Sequence, residues 1–263
     1  MGKKVAVVFD SAGTLLHMYR VAKSTADGKI LEDIETTMLV AEYPGRALIV
    51  MHMNCEEIFN KSEDITIADF IIRNNIEIDI VCSNGDFSIE QTRAIIKSSN
   101  VPISDLKEVI CRVRKRCPNI FYVEAGLIVD KDLEDISYVL STGGRLFPCS
   151  RKVLSWLKEH GVDAYIASGD SMWNLKRLAK HLEIPLEGVY DIATPEDKKN
   201  IVKELQKQYS SVVMVGDGLN DLLALRAADV AVVTRQQGDN RPDVLFNVAD
   251  RVIDDIAEVI DIV

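Results

Sequence analysis

The sequence has no uncharged apolar run approaching the roughly 18–20 residues that a membrane-spanning helix needs, which argues against an integral membrane protein. Its first apolar stretch, Val5-Ala6-Val7-Val8-Phe9, follows Met1-Gly2-Lys3-Lys4 but ends at Asp10, too soon for the core of a secretory signal. Basic residues are the minority, 31 Lys and Arg against 41 Asp and Glu, for a net charge of −10. That balance fits poorly with a nucleic-acid backbone or an anionic membrane surface, both of which are held by clustered cations. Cysteine is sparse and unpatterned: Cys55, Cys82, Cys111, Cys117 and Cys149 are odd in number and contain no C-x-x-C pair. Neither a disulfide framework nor a zinc knuckle is expected, and reduced thiols fit a cytoplasmic location.

What is present reads as α/β, because short apolar runs alternate with helical patterns. Val5–Phe9 has the continuous apolar character of a strand buried on both faces. In the second half, a helix from Ser150 to the stop at Gly161 precedes a strand at 164–167, and helices follow at 172–182 and 195–208. Strands at 212–215 and 230–233 flank a helix at 222–228, a rhythm that implies parallel pairing. The stretch 17–142 differs. It carries its own expected strands (37–42, 47–52, 78–82, 120–124) and helices (67–73, 89–97, 105–116). Small polar residues around Gly28 and the pair Gly143-Gly144 look like hinges at its edges. The expected organisation is a discontinuous core, 1–16 with 143–263, interrupted by an inserted domain, 17–142.

Four polar elements follow core strands or open a core helix: Asp10-Ser11-Ala12-Gly13-Thr14, Ser168-Gly169-Asp170, Pro195-Glu196-Asp197-Lys198 and Gly216-Asp217-Gly218-Leu219-Asn220-Asp221. In open parallel sheets ligands bind beyond the carboxyl ends of the strands, where Asp10, Ser168 and Asp217 would emerge. Two carboxylates, a hydroxyl and a lysine suit phosphoryl chemistry: a hard divalent cation wants carboxylate oxygens, and the lysine and hydroxyl meet the phosphoryl oxygens. Each element alone is equally a capped turn, a helix start or a solvated face. The fourth, with two glycines, two aspartates and an asparagine after an apolar strand, is the most specific.

Together these motifs resemble those of the haloacid dehalogenase superfamily, and most closely the phosphorylation domain of P-type ATPases. The likeness covers the core and does not obviously extend into the insert. It implies a Rossmann-like parallel-sheet core with an inserted α/β cap domain between the first and second motifs. It also implies a Mg²⁺-dependent phosphohydrolase acting on a small phosphorylated substrate. Asp10 would be the nucleophile that becomes an aspartyl phosphate. Asp10, the Ala12 carbonyl, Asp217 and Asp221 would hold Mg²⁺, with Asn220 in support. Gly13, Thr14, Ser168, Gly169 and Lys198 would bind the phosphate, and Lys198 would also stabilise the charge on Asp10, with Lys199 as the one-residue alternative. A cap at this place usually closes over the site and selects the substrate.

The pattern departs at Ala12, where phosphatases of this superfamily carry an aspartate that acts as acid and base. A methyl group does neither. This leaves three readings: a slow or specialised phosphatase, a phosphonatase-like hydrolase that cleaves a carbon–phosphorus bond, or a phosphate- or metabolite-binding regulator. The second would need a Schiff-base lysine from the insert, for which Lys23, Lys29, Lys61, Lys97 and Lys107 are candidates. The one basic cluster, Arg112–Arg116, fits the solvated C-terminal end of a helix.

Overall fold

A computed structural model describes residues 4–60, 65–117, 120–170, 172–238 and 241–263; Lys61 lies outside them. In chain order the first half contains β1 (Val5–Phe9), β2 (Leu16–Ser24), β3 (Ile30–Glu32), α1 (Thr36–Ala41), β4 (Arg46–His52), α2 (Ile67–Arg73), β5 (Glu77–Asn84), α3 (Ile89–Ser98), α4 (Ile103–Arg116) and β6 (Tyr122–Asp130). The second contains β7 (Asp135–Leu146), α5 (Ser150–Glu159), β8 (Asp163–Ala167), α6 (Met172–Leu182), β9 (Val189–Tyr190), α7 (Pro195–Leu205), β10 (Ser211–Gly216), α8 (Leu222–Ala227), β11 (Val230–Thr234), α9 (Asp243–Phe246) and β12 (Arg251–Ile253). No helix among the described residues is long and apolar enough to cross a membrane.

The chain divides into two compact units, Met1–Met18 with Leu146–Val263, and Tyr19–Arg145. The first is built on a parallel sheet ordered β12-β11-β10-β1-β8-β9. Strand β1 is the pivot. The chain moves outward from it through β8 and β9 on one side and through β10, β11 and β12 on the other, which is the topology that opens a crevice at strand carboxyl ends. Ala6, Val7, Val8 and Phe9 are fully buried, as a strand covered by helices on both faces requires. On one face Val8, Val212, Met214, Val202, Leu205 and Leu225 form the apolar core.

The second unit is an antiparallel sheet ordered β3-β2-β7-β6-β4-β5. Along β6 the side chains alternate: Leu127 and Val129 join Phe70, Leu106 and Ile110 from the helices, while Ile128 joins Leu39 and Val40 of α1. Both glycine-bearing segments expected to be hinges are ordered structure instead. Gly28 sits at φ +72° in the turn between β2 and β3, closed by the Ser24 N–H on Lys29 O at 2.9 Å. Gly143 and Gly144 lie inside β7, paired with Val123 and Tyr122 of β6. A Cβ on Gly143 would overlap Ile120 and Val113, so that glycine serves close packing and not rotation. The unit boundaries accordingly fall at Met18/Tyr19 and Arg145/Leu146. Residues 37–42, expected as a strand, instead form most of helix α1 (37–41) and its C-cap, Glu42. Their β-branched content favoured a strand, but adjacent Leu39 and Val40 both seat against the sheet, and tertiary packing overrides the weak local preference.

Candidate active site

Asp10 leaves the end of β1 with its N–H on Val215 O at 2.9 Å and is 2% exposed. The chain then turns tightly: the N–H groups of Leu15 and Leu16 both donate to Ser11 O at 2.9 Å, and Gly13 N–H donates to Leu16 O at 2.7 Å. Gly13 takes φ +80°, and a Cβ there would overlap Asp217 Oδ2, so only glycine lets this turn close against the neighbouring carboxylate. Phe147 N–H and Ser150 Oγ both donate to Leu15 O, which anchors the turn to the start of α5.

Helix α7 delivers Lys198. Thr194 and Asp197 form a reciprocal capping box, with Asp197 N–H on Thr194 Oγ1 at 3.2 Å and Thr194 N–H on Asp197 Oδ2 at 3.0 Å, and Pro195 opens the helix. That start places Lys198, Val202 and Leu205 on one buried face. Lys198 is 0% exposed and its Nζ donates to Asp10 Oδ1 at 2.6 Å and to Asp221 Oδ1 at 2.7 Å. Lys199, the alternative, is instead paired with Glu196 on the same helix. Asp221 Oδ2 accepts the Asp217 and Gly218 N–H groups, each at 3.1 Å, which folds the loop after β10 back on itself. A Cβ on Gly216 would stand 2.6 Å from the Asp221 carboxylate, which explains the first glycine of that loop.

A second polar group adjoins. Ser11 Oγ and Ser168 Oγ are 2.7 Å apart, and both hydroxyls reach Asp170 Oδ2, at 2.5 and 3.0 Å. Ser168 is pinned through its backbone, its N–H on Tyr190 O at 3.0 Å and its carbonyl accepting from Ala193 N–H at 2.8 Å. Sequence reading assigned no role to Ser11 or Asp170, although both lie within its motifs. It passed over Arg241, whose Nη2 donates to Asp217 Oδ2. Of the expected residues, Asp10, Ser168, Lys198, Asp217 and Asp221 are buried, Ala12 is half-buried, and Gly169 and Asn220 are exposed. Thr14 is fully buried and its Oγ1 has no partner among the described residues. Gly13, expected among the phosphate-binding residues, has its N–H engaged by Leu16 O within the turn.

The electrostatics are unbalanced. Oxygens of Asp10, Asp217 and Asp221 lie within 4.8 Å of one another. Three carboxylates face two cations, Lys198 and Arg241, leaving one negative charge in excess. Burial, followed by repulsion from Asp221, drives the Asp10 carboxyl well above its usual range, and Asp217 adds to this against the pull of Lys198. Burial opposes the Lys198 ammonium, but Asp10 and Asp221 outweigh it and hold its pKa up, so this lysine is a fixed cation. An all-oxygen donor set with surplus negative charge fits a hard divalent cation, which would relieve the repulsion among the carboxylates. A recess of about 460 Å³ beside α7, lined by Val189, Tyr190, Asn200 and Glu204 among others, contains none of these charged groups.

Residues 5–229 match the haloacid dehalogenase-like hydrolase family. A soluble P-type ATPase-like phosphatase of Methanocaldococcus jannaschii is 32% identical over 263 residues, covering 98% of this chain and 93% of that protein. A copper-transporting ATPase of Helicobacter pylori is 41% identical over 86 residues, which are 33% of this chain and 11% of the transporter. Among solved structures, the catalytic domain of the CPx-ATPase CopB-B superposes with a TM-score of 0.49 at 18% identity, over 98% of this chain and 87% of that one. The chain belongs to the haloacid dehalogenase-like hydrolases.

Proposed function

We propose that the chain is a Mg²⁺-dependent phosphatase that transfers the phosphoryl group of a small phosphate ester to Asp10 and then to water. The observation that carries this reading is the buried Lys198 ammonium bridging Asp10 Oδ1 and Asp221 Oδ1. It fixes one oxygen of Asp10 and opposes the rise in its pKa that burial and the neighbouring carboxylates impose. Asp10, Asp217, Asp221 and the Ala12 carbonyl are the groups to hold Mg²⁺, which when bound supplies charge neutralisation to the phosphoryl oxygens. The attacking Asp10 oxygen forms a bond to phosphorus as the ester P–O bond breaks. Ser168 turns its hydroxyl from Asp170 to a phosphoryl oxygen. Ala12 offers no proton, so the leaving oxygen takes one from water, and a second water cleaves the acyl phosphate and restores the Asp10 carboxylate. The missing acid/base costs about 10²–10⁴ in rate, which makes slow turnover the expected behaviour.

Of the insert lysines, Lys23 gives the phosphonatase reading no support. Schiff-base chemistry needs a neutral amine. Lys23 Nζ is instead tied to Asp105 Oδ1 at 2.7 Å and Glu108 Oε2 at 2.9 Å, and these bonds outweigh partial burial to hold it charged. The test is a panel of phosphate monoesters, acetyl phosphate and phosphonoacetaldehyde, assayed for phosphate release with Mg²⁺ and with EDTA. Release from esters that stops in EDTA and in Asp10→Asn is expected. Release that persists in Asp10→Asn, or that occurs from phosphonoacetaldehyde alone, would overturn the assignment.

A further inference from the structure

The loop after β11 brings groups to the site that belong to none of the four sequence motifs. Gln236 Nε2 donates to Thr14 O at 3.2 Å, while its Oε1 accepts from Ile256 N–H at 2.9 Å. Gln237 grips Met18 with both ends of its amide, accepting from the N–H at 2.8 Å and donating to the carbonyl at 2.9 Å. The loop is therefore fastened to the segment that follows the nucleophile. From this anchored loop Arg241 reaches Asp217 Oδ2, with its side chain only 13% exposed. Its Nε is buried without a partner among the described residues. A buried guanidinium N–H left unpaired beside an anionic cluster calls for a partner, and a bound anion is one that would satisfy it.

We propose that Arg241 is an exchange residue: it occupies Asp217 in the cation-free protein, yields that oxygen to a divalent cation, and turns its fork onto the phosphoryl oxygens of the substrate. The inference rests on the phosphatase reading for its second half only. Asp217 Oδ2 is walled on one side by the Cα of Gly13, where even a Cβ would overlap it, so a guanidinium and a cation must compete for the side that remains. Charge points the same way. The three carboxylates, Lys198 and Arg241 sum to one negative charge; a bound divalent cation turns that into one positive, which attracts a phosphate dianion. Without Arg241 the loaded site would be neutral. A planar fork also matches phosphate oxygens in a way that a lysine ammonium does not.

Calorimetric titration of Mg²⁺ into the intact protein, then of inorganic phosphate into the Mg²⁺-saturated protein, tests both halves without turnover. Arg241→Gln is expected to tighten Mg²⁺ about tenfold, as when a competitor leaves the site free about a tenth of the time. It should weaken phosphate by about tenfold or more, and Arg241→Lys should share that weakening because it keeps the charge but loses the fork. Arg235→Gln removes the same charge from the same loop, where Arg235 pairs with Asp254, and should change neither constant. Unchanged Mg²⁺ affinity in Arg241→Gln, or an equal shift in Arg235→Gln, would overturn the exchange. Unchanged phosphate affinity would overturn the second role. Failure of the wild type to hydrolyse any ester would sink the phosphatase reading while leaving the Mg²⁺ titration decisive for Arg241.

Discussion

Each unit buries an ionic cluster, and the two clusters are built to opposite rules. In the inserted unit Arg46 Nε donates to Asp130 Oδ2 at 3.0 Å and its Nη1 donates to Leu39 O at 2.9 Å, with the Tyr43 and Tyr138 rings stacked about the guanidinium. The Asp130 carboxylate also accepts from the Asp132 and Leu133 N–H groups. Arg46 also lies 3.9 Å from the exposed Glu42, but in the buried part of the cluster one cation meets one anion. In the core unit three carboxylates crowd one lysine and one arginine, and buried polar atoms at Thr14 and Arg241 have no partner among the described residues. A balanced buried pair is a structural fastening. A buried cluster with charge in excess, set at strand carboxyl ends, is an arrangement that favours a ligand over stability.

The largest expected contrast comes from removing the cation of each cluster. Lys198→Met should lower kcat by at least about 10²–10³, the usual loss of a preorganised charge at a reacting group. Arg46→Met should leave kcat within a few fold but cost about 3–5 kcal/mol, because it strands a buried carboxylate. Steady-state assays with urea unfolding of both variants check this. Equal effects on both readouts would erase the distinction.

Removing an anion sharpens it further, through the sign of the effect. The folded-state pKa of Asp10 is raised above its unfolded value, so between the two the folded chain binds the extra proton and stability falls as pH rises. Asp10→Asn should abolish that fall and unfold at a higher temperature than wild type near neutral pH in EDTA. Asp130→Asn should unfold at a lower temperature, since it leaves Arg46 unpaired. Thermal melts from pH 5 to 8 in EDTA separate the two. A cooperative loss of stability in Asp10→Asn would contradict the charge imbalance.

Two crowded glycines give a smaller contrast. Gly143→Ala would press on Ile120 and Val113 inside the second unit and cost about 1–3 kcal/mol of stability, as overpacking does, with little change in KM. Gly13→Ala would press on Asp217 and should act first on Mg²⁺ half-saturation, read from activity against metal concentration. The smallest effect is at Cys55, which burial pushes up to about 12. It stays a thiol at pH 8 and should resist iodoacetamide in the folded protein, while unfolding in urea should expose it to labelling.

The core was legible because its strands are continuous apolar runs with polar residues directly after them, and because Pro195 and Gly161 mark helix ends in one dimension. The insert was less so. β2 carries His17, Arg20 and Lys23 among its apolar residues, and β7 contains the Gly143-Gly144 pair, so neither shows the clean alternation of a half-buried strand. Of the site, Asp10, Ser168, Lys198, Asp217 and Asp221 could be read as candidates, as could the strand ends that bring them together, whereas Ser11 and Asp170, inside the same motifs, were not singled out. Arg241 could not be read, because a lone arginine among polar residues, 24 positions from the aspartate it touches, has no local pattern to betray it. Ala12 works in the other direction: its lack of an acid/base group was plain from the sequence, since no fold restores a proton to a methyl group, although the sequence left three readings of that lack open.

The most direct measurement is the mass of the peptide that contains Asp10 after the protein is incubated with acetyl phosphate and Mg²⁺ and quenched in acid. One added phosphoryl group on Asp10, lost on exposure to hydroxylamine and absent in EDTA and in Asp10→Asn, is the expected result. Steady release of phosphate with no label on Asp10, or with the label on another residue, would contradict Asp10 as the nucleophile.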